Sequence, residues 1–127
     1  MRLLLDTHTL IWWATDDSAL TSRARDRIAG SEEVLVSAAT AWEMAIKVSL
    51  GRLPSAFDLV TNFEDSLRSR GFQVLAISAA HGIRAGLLPG PHKDPFDRML
   101  IAQAQAENLA IVSSDQIFDR YGVRRVW

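Results

Sequence analysis

The chain has 127 residues, 48% hydrophobic and 23% charged, with no cysteine and a net charge of −1. One soluble domain spanning 1–127 is expected, long enough to bury roughly two thirds of its unfolded surface without a disulfide or structural metal. The missing thiols exclude disulfides, cysteine nucleophiles, Cys-ligated zinc and iron–sulfur clusters, and the near-neutral charge argues against a passive nucleic-acid coat.

The apolar start Leu3-Leu4-Leu5 is cut by Asp6, and the next apolar run by Asp16 and Asp17. Neither a signal segment nor a membrane span fits, so the cytosol is the expected compartment. Strand-type runs cover 2–5, 33–36, 73–77 and 110–113, and 123–127 offers an edge strand. Helical patterns cover 9–14, 18–28, 38–50, 57–68, 78–85, 95–107 and 115–121. Gly51 ends the 38–50 helix, and Pro95 opens the strong one. Alternation of this kind predicts an α/β fold with a mainly parallel sheet of four to five strands covered on both faces. The Pro/Gly-rich stretch 88–95 is too short to divide domains and reads as a structured loop beside a site.

In a parallel sheet, residues that follow the strands converge on the crevice outside the carboxyl edge. Asp6 follows the first strand and Asp115 follows Ser113-Ser114 at the end of the fourth. Glu43 lies in the second turn of the 38–50 helix, within reach of the same edge, and Asp97 lies in the first turn of the helix that begins at Pro95. Four like charges in one crevice repel and raise one another's pKa unless a cation offsets them. A hard, oxygen-binding divalent ion such as Mg²⁺ is the simplest answer, and metal-assisted phosphoryl hydrolysis is the chemistry implied.

Each acid also has a plainer reading. Asp6 and Asp115 suit helix N-caps, and Asp94, Pro95 and Asp97 suit the N-cap, N1 and N3 positions. Glu43 with Lys47 four residues on suits a surface ion pair. His8, His81 and His92 are dispersed without an H-x-x-x-H pair, so zinc does not fit, and His92, beside Lys93 and Asp94, reads as an exposed loop residue ahead of the alternative of a contact to a phosphate or the leaving group. No phosphate-binding glycine loop and no G-x-S-x-G elbow occurs.

The opening Leu3-Leu4-Leu5-Asp6-Thr7-His8, the block from Ser37 through Trp42-Glu43 to Lys47, the block His92-Lys93-Asp94-Pro95-Phe96-Asp97-Arg98 through Ala102, and the late Ser113-Ser114-Asp115 resemble PIN-domain proteins. The likeness runs to VapC-type toxins of bacterial toxin–antitoxin pairs, spans essentially the whole chain in order, and is most specific in the second and third blocks. It implies a three-layer α/β/α nuclease domain with Mg²⁺- or Mn²⁺-dependent endoribonuclease activity on an RNA substrate, a homodimer, and inhibition by a cognate antitoxin. It places the family's acids on Asp6, Glu43, Asp97 and Asp115, with Thr7, Ser114 and Asp94 in support. Asp6 and Asp97 would be metal ligands, while Glu43 and Asp115 would act directly or through water. Two rivals are a HAD-like phosphatase, which wants a second Asp where His8 stands, and a receiver-like module, which wants an acceptor Asp where Ser37 or Ser78 ends a strand.

Overall fold

The computed structural model describes residues 1–127, the side chain of Ser55 excepted. Five strands, β1 (Arg2–Leu5), β2 (Glu33–Ser37), β3 (Phe72–Leu75), β4 (Ala110–Val112) and β5 (Arg125–Val126), form one sheet in the order β3-β2-β1-β4-β5. Every pairing is parallel, with Leu4 opposite Leu35 on one side and Ile111 on the other. Side chains alternate across the sheet with a period of two, so the continuous Leu3-Leu4-Leu5 run feeds two cores. Leu3 and Leu5 pack with Leu10, Ile28, Met44 and Leu67, whereas Leu4 packs with Leu100, Ile101, Ile111 and Phe118.

The first core is roofed by α1 (Thr7–Ala14), α2 (Ser22–Gly30), α4 (Phe57–Thr61) and α5 (Phe63–Ser69), with Met44 of α3 (Ala38–Ser49) at its margin. The second is roofed chiefly by α7 (Pro95–Glu107), against which α6 (Ala79–Leu87) lies, and by a 3₁₀ turn over Gln116–Tyr121. These are the layers of an α/β/α sandwich. No helix among the described residues is long and apolar enough to cross a membrane.

Several boundaries differ from those read in the sequence, each for a local reason. The first helix starts at Thr7 rather than residue 9, because the Asp6 carboxylate caps it by accepting from the Thr9 amide. The second starts at Ser22 rather than 18, since Thr21 supplies its cap. The 57–68 pattern is two helices, broken where Asn62 adopts φ −131° and ψ 47°. The third strand spans Phe72–Leu75 and stops before Ala76 and Ile77, and Ser78 then caps a helix that runs on to Leu87. The 115–121 pattern is a 3₁₀ turn closed by Gly122 at φ 69°, a conformation glycine adopts without strain. Asn108 does the same at the end of α7, at φ 55°.

Candidate active site

The strand order reverses between β1 and β4, and the crevice outside their carboxyl ends is where open parallel sheets bind ligands. A cleft of about 460 Å³ lies there, lined by Asp6, Glu43, Asp97 and Asp115 and by Thr7, Ser114 and Asp94. All seven residues singled out in the sequence thus face one space. His8, Trp12 and Lys47 complete the lining.

Asp6 is held through both its backbone and its side chain. Its amide donates to the Val112 carbonyl at 3.2 Å, extending the β1–β4 ladder by one residue, and its Oδ1 accepts from the Thr9 amide at 2.8 Å. Thr9 in turn donates its hydroxyl to the same Val112 carbonyl at 2.8 Å. On β4's side, Asp115 Oδ1 accepts from the Ile117 amide at 3.0 Å while its own amide donates to Ser113 Oγ at 3.0 Å. The cap readings of Asp6 and Asp115 therefore hold, and each cap leaves the second carboxylate oxygen without a bond among the described residues.

Glu43 reaches back from the second turn of α3, as its position in the sequence implied. The Thr7 hydroxyl donates to its Oε1 at 2.5 Å, and Lys47 Nζ lies 3.2 Å from its Oε2. The ion pair read as a surface feature is thus inside the cleft wall, with the Glu43 side chain only 15% exposed. Ser37 starts α3 by accepting from the Ala39 amide, which fixes the direction in which that helix leaves the sheet.

Asp94 caps α7, its Oδ1 accepting from the amides of Phe96 at 2.9 Å and Asp97 at 3.2 Å. Asp97, one turn in, has its Oδ2 2.9 Å from His92 Nε2. Burial pushes the Asp97 carboxyl up to about 6; the hydrogen bond and charge of His92 oppose that shift, and the charges of Asp94 and Glu43 add to it. His92 is not the exposed loop residue expected from the sequence: only 21% of its side chain is accessible, because the chain turns back at Pro95 and brings it over Asp97. His81 has no place in the cleft; it is buried in a capping box with Ser78 and lies 2.9 Å from Glu107.

Sequence reasoning did not find His8, Trp12 or Lys47 in the cleft. His8 follows two residues after Asp6 in the same turn, a spacing that could have marked it. Trp12 packs between His8 and Trp127, with ring centroids 5.6 and 5.8 Å away, whereas Trp13 packs on Phe72. Neither neighbourhood follows from the pattern of one helix.

Four carboxylates with only oxygen donors are the set a hard divalent ion takes, and a cation among them would offset the repulsion that Asp97 carries. The donor chemistry fits Mg²⁺ or Mn²⁺. In the present rotamers no three His, Asp or Glu side chains among the described residues close around one point. Lys47 and His92 hold Glu43 and Asp97 instead.

The PIN-domain family model matches residues 3–124. The Mycobacterium tuberculosis protein named ribonuclease VapC22 is 25% identical over 117 residues, covering 90% of this chain and 87% of that protein. Among solved structures, VapBC2 of Rickettsia felis bound to a promoter DNA fragment superposes with a TM-score of 0.72 at 18% identity over the full length of both chains. The Mycobacterium tuberculosis sarcin–ricin-loop-cleaving toxin VapC20 superposes with a TM-score of 0.70 at 14% identity, covering 95% of each chain. None of these similarities is to a HAD-like phosphatase or a receiver. With a family model spanning nearly its whole length and a five-stranded parallel sheet that carries its acids at the switch point, this chain belongs to the PIN-domain family.

Proposed function

We propose that the protein is a divalent-metal-dependent endoribonuclease and the toxin of a toxin–antitoxin pair, acting in the cytoplasm as one nuclease domain over 1–127. The observation that carries this reading is the single cleft lined by Asp6, Glu43, Asp97 and Asp115 in a PIN-family chain. Its similarity to a protein named as a ribonuclease supplies the substrate class.

In this reading Asp6 and Asp97 would hold the ion, as the likeness to PIN-domain proteins implies; each keeps an oxygen free of the chain's own hydrogen bonds, which is compatible with that role. A Mg²⁺ or Mn²⁺ held there would supply a lowered pKa for its water and a shield for the phosphodiester against the surrounding negative charge. Glu43, fixed by the Thr7 hydroxyl, and Asp115, fixed by the start of the 3₁₀ turn, orient the attacking water or hold the ion through water. Ser114 lies beside Asp115 as a neutral hydrogen-bonding group for the substrate. Lys47 stands where a scissile phosphate would bring negative charge.

A homodimer and a cognate antitoxin complete the proposal. Trp42, Ile83 and Leu87 are 62, 64 and 79% exposed on α3 and α6, apolar side chains that a second copy would cover. Comparable proteins of this fold have been solved as VapBC complexes, which supports an antitoxin partner.

The test is incubation of the purified protein with total cellular RNA in Mg²⁺ or Mn²⁺, with and without EDTA, followed by mapping of the cut ends. Cleavage should need the metal and leave 5′-phosphate and 3′-hydroxyl ends, since water rather than the ribose 2′-hydroxyl attacks. Undiminished cleavage in excess EDTA, or cyclic phosphate ends, would overturn it.

A further inference from the structure

Between α6 and α7 the chain runs beside the cleft in a loop, residues 88–94, whose backbone does little to hold its own shape; Leu88 is buried in the second core and Gly90 lies against Tyr121. Pro89 and Pro91 have no amide to donate, and among the described residues 89–93 make no hydrogen bond from backbone to backbone. Yet this loop delivers His92 to Asp97 and ends in Asp94, the cap of α7.

Its polar anchor is Arg98. The guanidinium donates through Nε to the Ala85 carbonyl at 3.1 Å, through Nη2 to Leu88 at 2.5 Å and through Nη1 to His92 at 2.9 Å. Ala85 lies in the last turn of α6, where its carbonyl accepts only a long 3.4 Å bond from the Leu88 amide and a cation is favoured. One planar fork thus ties the end of a helix to both ends of the loop. Only arginine has donors on three nitrogens in that geometry; a lysine ammonium is a single point.

We propose that Arg98 is a positioning residue of the cleft: by gathering the carbonyls of Ala85, Leu88 and His92 it fixes the 88–94 loop, and so fixes where His92 and Asp94 hold Asp97. The proposal rests on the reading of Asp97 as a metal ligand. Arg98 itself is not among the residues that line the cleft and spends its donors on α6 and the loop, so its effect runs through the loop. Groups that orient metal ligands typically set affinity or activity by about 10–100-fold.

The experiment compares the full-length wild type with Arg98→Lys and Asp97→Asn. Mn²⁺ binding is read from the paramagnetic resonance signal of the free ion, loop order from amide hydrogen exchange, fold from melting in EDTA, and RNA cleavage as a function of Mn²⁺. Arg98→Lys should bind Mn²⁺ about 10–100-fold more weakly. It should lose protection in the 88–94 segment but not in the sheet, and recover cleavage at correspondingly higher Mn²⁺. A scaffold role alone would lower melting and sheet protection without that selective loss of Mn²⁺ affinity.

Wild-type Mn²⁺ affinity in Arg98→Lys, with Asp97→Asn defective, overturns the Arg98 proposal and leaves the nuclease reading standing. Wild-type affinity in Asp97→Asn overturns the reading of Asp97, and the Arg98 proposal falls with it. Should Arg98→Lys not fold, Arg98→Gln, which keeps two donors on one nitrogen, is scored the same way. Failure of both to fold assigns Arg98 to the scaffold and overturns the proposal.

Discussion

The cleft's acids are held in two different ways on its two sides. Where β1 and β4 end, Asp6 and Asp115 are bonded to main-chain amides of the turns they start. On the helix side, Glu43 and Asp97 are met by the side chains of Lys47 and His92. A backbone cap stays for as long as the turn stays, whereas a side chain can leave when a better cation arrives. The strand side therefore supplies fixed carboxylates and the helix side carboxylates that can be rearranged, among them Asp97, which burial first and the neighbouring charges second push up to about 6.

The largest expected effect tests the helix side. Asp97→Asn should lower RNA cleavage by more than about a hundredfold at saturating Mg²⁺, beyond the loss usual for groups that merely orient a metal ligand. Asp94→Asn should retain most of the activity, since asparagine caps a helix as well as aspartate does. Cleavage that survives in Asp97→Asn and vanishes in Asp94→Asn would mean that ligand and cap have been exchanged.

The second prediction concerns stability without metal. The folded-state pKa of Asp97, raised from 3.8 to about 6, exceeds that of the unfolded chain. Between those values the folded form binds more protons, so this group's contribution to stability falls as pH rises from about 4 to about 6 and stays low above that. Two units correspond to roughly 3 kcal/mol at most. Denaturation in EDTA should show Asp97→Asn gaining on the wild type as pH rises through that window and levelling off above it. A difference that does not vary with pH would show that burial and crowding do not raise this carboxyl.

A smaller effect tests the strand side. Asp6→Ala should cost about 1 kcal/mol through the lost cap, while Asp6→Asn should cost little stability, because the amide oxygen can still accept from Thr9. Both should lose cleavage. Urea denaturation alongside RNA cleavage separates cap from ligand; equal destabilisation by the two variants would mean that charge, not the cap bond, matters at the start of α1.

The same contrast explains what could be read from the sequence. Strands β1, β2 and β4 and the helix from Pro95 to Glu107 were legible because each is an apolar run bounded by its own cap or turn. Asp6 and Asp115 could be placed at the sheet edge because their position follows from strand ends alone, and Glu43 because a second-turn residue reaches back by a known distance. His92 on Asp97 and Lys47 inside the cleft were not legible. Both depend on how α3, α7 and the 88–94 loop pack against one another, which no local pattern states. The break at Asn62 was hidden for a related reason: the apolar spacing of 57–68 continues across it, and only the backbone angles there end the first helix.

The smallest effect sharpens the comparison by removing a cation from the helix side. Lys47 is about one-third exposed and pairs with Glu43 at i,i+4, the favourable order along a helix, so the pair contributes only about 0.3–0.5 kcal/mol. Lys47→Met keeps the aliphatic stem and should change the melting temperature by no more than about two degrees. If Lys47 serves mainly to neutralise Glu43 before the metal arrives, the variant should bind Mn²⁺ at least as tightly as the wild type, because nothing then competes for that carboxylate. If it serves the substrate, RNA should bind more weakly at unchanged Mn²⁺ affinity, and the salt dependence of binding should flatten by about one counterion. Titrating Mn²⁺ without RNA, and then RNA at fixed Mn²⁺ across a range of salt, assigns Lys47 to one side of that choice. Weaker Mn²⁺ binding in Lys47→Met would contradict both, and would mean that the ion pair holds Glu43 in the posture the metal needs.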